Sequence, residues 1–367
     1  MATIENGKGT FALAAFDSKA ILQKHEFGRP ATGPNDVSIE VKYCGMCHSD
    51  LHACNGDWHL NCYPMAPGHE IAGIVKEVGK DVTQKFKVGD RVAVGCMVDA
   101  CMSCEMCNKG EENYCRNCIQ TYGSQYPKGK GHDDCAGFHT NGGYSSEITV
   151  RSEFVFAVPD AMKLEYAGPL LCAGITTFSP LNRHVLKKGG NKNVGVVGFG
   201  GLGQMAIKLA KAMNSKVTVL SRSTSKKGQA AALGADILAH SDAQALANAK
   251  FQFDVIIDTV SAPHEVQPLL QTLKVGGTYV CIGGVPQPMA ISAFSLISNN
   301  YKMEGSLIGG LPETQEMLDF CNEHQVFPAI KIIHAKDANA QFQALAAGSA
   351  DVDRAVIDMS TLADVAK

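Results

Sequence analysis

Nowhere does the sequence contain the ~18 or more unbroken apolar residues that a bilayer-spanning helix needs. An integral membrane role by that route is therefore not expected. An excess of one charge is missing as well, since 33 Lys and Arg face 36 Asp and Glu for a net of −3. Such a balance creates no field for a nucleic-acid backbone or an anionic membrane. Tryptophan is almost absent, and Trp58 alone offers an indole for stacking on a ring. The opening residues MATIENGKGT show neither a basic stretch followed by an apolar run nor an Arg- and Ser-rich amphipathic segment, which reads as no targeting peptide and a cytoplasmic protein. The partners to expect are small molecules and further copies of the chain itself.

Cysteine, in contrast, is plentiful. Fourteen thiols in a chain read as cytoplasmic point to a reducing compartment where thiolates stay free for metal. Cys101, Cys104, Cys107 and Cys115 form the pattern C-x2-C-x2-C-x7-C, and a closed set of four thiolates is the chemistry of a structural Zn²⁺ site. Two disulfides, or four unpaired thiols, are the alternative; three cysteines at three-residue spacing suit one ion better. Four thiolates leave no open position, so chemistry needs a second site. Cys47, His69 and Cys172, far apart in sequence, supply two thiolates and one imidazole and leave a fourth position free. The other cysteines, at 44, 54, 62, 96, 118, 135, 281 and 321, read as small core residues.

The 367 residues favour two domains. Before about residue 160, short strand-like runs such as Val37–Val41, Gly73–Gly79 and Gly89–Val94 alternate with Gly, Pro and Asp turns, the pattern of an all-β domain. From 161 to 311, apolar runs such as Val194–Val197, Val217–Leu220 and Asp254–Asp258 alternate with helical stretches, including one from Leu202 to Met213. Continuous Val/Ile strands of this kind suit an α/β, doubly wound parallel sheet buried on both faces. Residues 312–367, with a helix-like Glu313–Glu323 and a strand at Ala355–Asp358, are expected to return to the first domain.

Gly198-Phe199-Gly200-Gly201-Leu202-Gly203 follows one predicted strand and opens a predicted helix, the context in which such a loop binds a dinucleotide. The glycines allow a sharp turn and let a pyrophosphate approach the helix N-terminus, whose free N–H groups favour negative charge. At the tip of the next strand, an acidic residue would accept from an adenosine ribose 2′-OH. The tip instead reads Ser221-Arg222-Ser223-Thr224-Ser225-Lys226. Its hydroxyls and cations suit a 2′-phosphate, with Arg222 as a planar fork and Lys226 as a point charge, so NADP(H) is expected. A solvated turn capping the following helix is the plainer alternative.

Taken in order, Cys47-His48-Ser49-Asp50, Gly68-His69-Glu70, the cysteine lobe, Leu171–Thr176 and GFGGLG resemble the zinc-dependent medium-chain alcohol dehydrogenases. The Ser-Arg-Ser tip and Gly305–Gly310 look like the cinnamyl alcohol dehydrogenase branch. The resemblance covers nearly the whole chain. It implies a GroES-like β-barrel catalytic domain at 1–160, a Rossmann domain at 161–311, a C-terminal segment joining the first, two Zn²⁺ ions, and a homodimer paired through Rossmann sheet edges. The catalytic Zn²⁺, at Cys47, His69 and Cys172, would polarise a carbonyl while hydride moves to or from the nicotinamide. By resemblance Glu70 is an alternate ligand and Asp50 fixes the His69 ring. Thr176 packs under the nicotinamide and Arg354 reaches the pyrophosphate. Ser49, two residues after Cys47, and His52, three further on, are placed to pass a proton between substrate oxygen and solvent; in the family the nicotinamide ribose lies between them. A core histidine, a capping aspartate or threonine and a surface arginine are the corresponding plain roles.

The expected reaction is hydride transfer between NADP(H) and a primary alcohol or aldehyde, aromatic or medium-chain, of cinnamyl type. An NAD-dependent zinc polyol dehydrogenase, or a non-enzymatic zinc-binding relative, is the alternative; the cysteine lobe opposes the first and the filled ligand positions oppose the second. Gln120 stands where many plant members of the branch have a tryptophan before a Ser/Thr-Tyr pair, here Thr121-Tyr122, which weakens the case for a lignin-type aromatic pocket. Trp58 could line the pocket instead. The Gly-, His- and Asp-rich stretch Lys128–Asn141 is expected at its edge, with His132 and His139 exposed.

Overall fold

The computed structural model describes residues 9–60, 62–82, 84–125, 139–348 and 354–365; His132, Cys135 and the stretch from Lys128 to Phe138 lie outside the described residues. The chain divides into two compact units, one of Met1–Cys172, Gly310–Asn322 and Pro328–Lys367, the other of Ala173–Gly309 and Glu323–Phe327.

The first unit opens with strands β1 (Gly9–Ala15), β2 (Leu22–Gly28), β3 (Asp36–Gly45), β4 (Ile71–Val78), β5 (Arg91–Val94), β6 (Met97–Asp99), β7 (Ile119–Gln120), β8 (Glu147–Arg151) and β9 (Phe156–Ala157). Helices α1 (His48–Cys54), α2 (Glu105–Asn108) and α3 (Leu164–Pro169) interrupt them. β3 is the spine. It pairs with β4 on one side and with β8 on the other, antiparallel in both cases. Val37, Ile39 and Val41 recur at the strand period and are buried.

In the second unit, α4 (Ile175–His184) precedes β10 (Asn193–Val197), α5 (Gly201–Ala212), β11 (Lys216–Ser221), α6 (Lys227–Ala232), β12 (Asp236–Ala239), β13 (Phe253–Asp258), β14 (Leu273–Cys281) and β15 (Lys302–Gly305). All six strands are parallel, in the order β12-β11-β10-β13-β14-β15. The central strands are buried along their length, Val194, Val196 and Val197 on β10 and Val255, Ile256 and Ile257 on β13, as continuous apolar runs require. Around them pack Leu220, Phe253, Leu269, Leu273 and Tyr279. Strand order reverses between β10 and β13, so the carboxyl ends there form the crevice in which such sheets bind ligands.

The chain then adds β16 (Ile330–His334) and β17 (Arg354–Asp358) to the first sheet, β17 running antiparallel to β3 with Ile357 opposite Cys44. Two boundaries differ from the expected ones. The first unit runs on to Cys172 rather than stopping at 160, because Gly168 seats α3 against the backbone: a Cβ there would lie 2.3 Å from the Glu70 carbonyl oxygen. The second unit regains Glu323–Phe327, where Lys208 of α5 donates to the Phe327 carbonyl at 2.8 Å.

Arg29 locks the end of β2 to a distant loop. Its buried guanidinium donates to the carbonyls of Asn141, Gly142 and Glu147 and to the Ser145 hydroxyl, and lies over the Phe27 ring. Each buried acceptor left unsatisfied costs about 1–3 kcal/mol, so Arg29→Met, which keeps most of the volume, is expected to destabilise the first unit by about 2–4 kcal/mol. A urea midpoint unchanged from wild type would show that these bonds contribute nothing net.

Candidate active site and metal centres

Three turns of chain bring the proposed catalytic ligands together. Cys47 lies just past the end of β3 and caps α1, His69 sits just ahead of β4, and Cys172 belongs to a π-helical turn, Leu170–Gly174, that follows α3. Pro169 precedes that turn and has no N–H to continue a regular ladder, and π turns of this kind often mark functional sites. Cys47 Sγ and Cys172 Sγ are 3.9 Å apart, and His69 Nε2 is 3.2 Å from Cys172 Sγ. Tetrahedral Zn²⁺ with its usual bond lengths sets ligand–ligand separations of about 3.5–3.8 Å. The donor set therefore fits the ion in atom type and in spacing. A Glu70 carboxylate oxygen falls within the same cluster.

Asp50 holds this arrangement. Its carboxylate is fully buried; Oδ1 accepts from Gly68 N–H at 3.1 Å and lies 3.0 Å from His69 Nδ1, while Oδ2 accepts from Cys47 N–H at 2.9 Å and the Tyr144 hydroxyl at 3.2 Å. With Nδ1 tied to a carboxylate, the tautomer leaves the Nε2 lone pair for metal. The Tyr122 hydroxyl also lies 3.1 Å from Nδ1. Tyr122 and Tyr144 as supports were missed from sequence, which carries no local signal for either.

Glu70 is buried, and neither carboxylate oxygen has a hydrogen-bond partner; burial raises its pKa to about 7 against the pull of Arg354. Arg354 falls in the first unit, where it donates to the Met46 carbonyl at 3.0 Å and stands 3.6 Å from Glu70. Without metal, hydrogen bonding to Cys172 draws the Cys47 thiol well below its ordinary value. Cys96, read from sequence as a plain core cysteine, is the neighbour that the sequence reading overlooked: it hydrogen-bonds Cys172, which lowers its own pKa.

The second cluster is a loop around α2. Cys101 and Cys107 are 3.9 Å apart, Cys104 and Cys107 3.6 Å, and Cys115 and Cys101 3.5 Å, again tetrahedral spacings. Backbone N–H groups of Ser103 and Cys104 hold the Cys101 thiol down to about 6, and Asn117 N–H points at Cys115 Sγ. Amides aimed at sulfur favour the thiolate a metal binds. Among the described residues all cysteines are free of disulfides.

Ser49 and His52 lie three residues apart on α1, on one helix face. His52 is 2.7 Å from Asp57, and Trp58 tilts over its ring. His48 instead bonds the Leu345 carbonyl. Trp58 is half exposed rather than core, and His139 is half-buried in a bridge with Gln125 rather than exposed. In the second unit, Gly198 has φ +93° and a Cβ on Gly203 would meet the Gly198 carbonyl at 2.4 Å, whereas the space beside Gly200 is open. Leu202 and Gly201 start α5. Ser221, the last residue of β11, is half-buried, and Arg222, Ser223 and Lys226 beyond it are exposed, with Lys226 5.7 Å from the Phe199 ring centre. Thr176 is buried at the start of α4.

A parallel nucleotide-binding sheet and a β unit with one open and one closed set of metal ligands define a zinc-dependent oxidoreductase of the alcohol dehydrogenase class. Residues 33–160 match the alcohol dehydrogenase GroES-like domain and 201–323 the zinc-binding dehydrogenase family. The chain belongs to the zinc-binding alcohol dehydrogenases. It is 45% identical to 8-hydroxygeraniol dehydrogenase of Catharanthus roseus over 97% of both chains, and 45% identical to cinnamyl alcohol dehydrogenase 8 of Arabidopsis thaliana over 96% of both. Among solved structures, a Sorghum bicolor cinnamyl alcohol dehydrogenase superposes with a TM-score of 0.89 at 40% identity, covering 96% of this chain and 98% of that one. CAD from Helicobacter pylori, complexed with NADP(H), gives 0.86 at 40% identity over 97% and 99%.

Loss of such outer support typically costs about 10–100-fold in metal affinity. Asp50→Asn is accordingly expected to release one zinc of two to a competing chelator at about 10–100-fold lower chelator concentration, read by metal analysis of folded protein. Retention of both ions at wild-type affinity would remove Asp50 from this role.

Proposed function

We propose that the chain interconverts a primary alcohol and its aldehyde, of the conjugated cinnamyl type, with NADP(H) as coenzyme. The observation that carries the reading is the convergence of Cys47, His69 and Cys172 beside a buried Glu70 whose carboxylate makes no hydrogen bond, a donor set that leaves a position for substrate oxygen. The names of two relatives, cinnamyl alcohol and 8-hydroxygeraniol dehydrogenase, both denote allylic primary alcohols, and this supports the substrate class. NADP(H) in the Helicobacter pylori neighbour supports the coenzyme, as do the hydroxyl and cationic side chains after β11.

Zinc, when bound by these ligands, supplies Lewis-acid polarisation of the substrate oxygen, and the nicotinamide supplies or takes the hydride. The chain's own residues do the rest. Asp50 keeps His69 in its ligand tautomer, and Glu70 stands by as an alternative donor. The Ser49 hydroxyl gives a proton to the substrate oxygen during reduction, and His52, steadied by Asp57 and half exposed, restores it from solvent. The glycine loop and α5 receive the pyrophosphate, with Thr176 of the same unit as a further coenzyme contact. The free thiols support a cytoplasmic setting, and no helix among the described residues is long and apolar enough to cross a membrane.

A homodimer completes the reading. β15 is an edge strand, and Phe294, Ile297 and Leu307 in the same unit are each more than half exposed, apolar surface of a kind that favours association. Sedimentation is expected to give twice the chain mass, with Ile297→Glu shifting it toward monomer; a monomeric wild type would end this part of the reading.

General acid–base steps contribute about 10²–10⁴-fold, so Ser49→Ala should cut turnover by about that range while leaving NADPH affinity intact. Near-normal turnover with hydride transfer rate-limiting would exclude Ser49 as donor. For the coenzyme, a net advantage of about 2–3 kcal/mol from contacts to the 2′-phosphate predicts roughly 30- to 150-fold higher kcat/KM with NADPH than with NADH. Ser221→Asp should invert the preference, since a carboxylate repels phosphate and accepts from a free 2′-OH. Equal efficiency with both coenzymes in wild type would return these side chains to the role of a solvated helix cap.

A further inference from the structure

Glu112 is a buried carboxylate that the chemistry above leaves unused, and it lies inside the closed cysteine set, between Cys107 and Cys115. Its backbone and its side chain serve different partners. The Glu112 carbonyl accepts from Cys115 N–H at 3.0 Å, closing the short turn Glu112–Tyr114, while Oε2 accepts from Leu311 N–H at 2.9 Å. Leu311 is the first residue of a helix that runs to Glu323, and Gly310 just before it is where the chain re-enters the first unit. The first N–H groups of a helix have no partner within it, and the macrodipole there favours negative charge. Glu112 therefore caps this helix from 199 positions earlier in the chain.

A second contact runs beside the first. Gly110, whose N–H donates to the Cys107 carbonyl at 3.0 Å, lies directly against the helix start. A Cβ on Gly310 would fall 1.7 Å from the Gly110 carbonyl oxygen, and a Cβ on Gly110 would fall 3.0 Å from Pro312 Cγ. Backbone thus meets backbone with no side chain between. The Gly310 carbonyl accepts from the N–H and the hydroxyl of Thr314, at 3.0 and 2.7 Å, which begins the helix's own ladder. Each of the two contacts is one backbone hydrogen bond away from a cysteine of the set, Cys107 in one case and Cys115 in the other. One turn further along, the helix is held independently of the cysteine loop. The Gln315 amide accepts from Ala157 N–H at 3.0 Å and donates to the Ala157 carbonyl at 3.1 Å, which fastens the helix to β9, an end strand of its sheet.

We propose that the closed metal set, acting through Glu112 and Gly110, seats the start of the helix Leu311–Glu323, so that metal binding at the four cysteines and order in residues 310–314 are coupled. The inference rests on the assignment of zinc to Cys101, Cys104, Cys107 and Cys115. An ion that fixes Cys107 and Cys115 fixes the turn between them, and with it the carboxylate and the carbonyl against which the helix begins. Such a coupling is reciprocal: the seated helix strengthens the hold on the ion by the same factor. Because Gln315 secures the next turn separately, and Met317, Leu318 and Cys321 are buried, loss of the ion frees the first turn and leaves residues 317–323 in place.

The test is amide hydrogen exchange of the full-length, zinc-loaded protein, read by mass spectrometry over residues 310–314 and 317–323. Glu112→Ala should speed exchange over 310–314 by about 10-fold, in line with loss of one hydrogen bond to a charged group, and leave 317–323 within about two-fold. Glu112→Gln, whose amide oxygen still accepts, should stay within about two-fold over both. Cys104→Ser, which opens the closed set, should reproduce the Glu112→Ala pattern. Reciprocity is read in a Cys172→Ser background, so that only the closed set holds zinc: there Glu112→Ala should lose the ion at about 10-fold lower concentration of a competing chelator. Wild-type protection over 310–314 in either Glu112→Ala or Cys104→Ser overturns the proposal. So does an equal rise over 310–314 and 317–323, which marks a general loosening of the unit. Should Cys104→Ser fail to fold, Glu112→Ala and its zinc release decide. A wild type that holds no zinc at the four cysteines would instead bring down the metal assignment, and this inference with it.

Discussion

The buried carboxylate of Asp50 carries the architecture of the metal site. A charge removed from water is tolerable only when paired and hydrogen-bonded, and Asp50 meets that demand with the backbone of Cys47 and Gly68, the His69 ring and the Tyr144 hydroxyl. Each contact satisfies the carboxylate and at the same time fixes a segment that presents a ligand. Cys47 and His69 come from opposite sides of a long connection between β3 and β4. Their convergence depends on this one side chain more than on any contact between them. Cys172 joins through a different constraint, the glycine at 168 that lets α3 lie against the Glu70 backbone.

The two cysteine-rich sites solve different problems with similar donors. Around α2, four thiols at tetrahedral spacing and amides aimed at sulfur make a closed set suited to holding a loop. At Cys47, His69 and Cys172 the set is buried and incomplete, and the remaining donor, Glu70, faces Arg354 without a hydrogen bond. An incomplete set is structurally wasteful but chemically useful, since it leaves a place where substrate oxygen can be polarised. Arg354 limits the cost of burying Glu70 from 3.6 Å away.

In the second unit the same logic of buried charge applies to Asp258. Parallel strands end together, so the side chains following β11, β12 and β13 share one edge even though they lie far apart in sequence. Asp258, with Tyr279 and Val260, steadies that edge.

The cysteine spacing, the Gly-His-Glu and the GFGGLG loop between a strand and a helix were legible in the sequence because each is a local pattern whose chemistry follows from residue type and distance along the chain. The parallel sheet was legible too, since strands buried on both faces must be apolar throughout, as Val194–Val197 and Val255–Ile257 are. Where the first unit ends was not, because the contact that carries it to Cys172 is a close approach of Gly168 to Glu70, residues about a hundred positions apart. The same holds for Tyr122 and Tyr144 beneath the ligand set and for Cys96 beside Cys172. Their partners are chosen by how strands and loops pack, and nothing in the neighbouring sequence records that choice. Residue type alone determined which metal and which class of ligand this chain can hold; tertiary structure decided which buried charges support those sites, because a buried charge is tolerated only where distant segments bring donors to it.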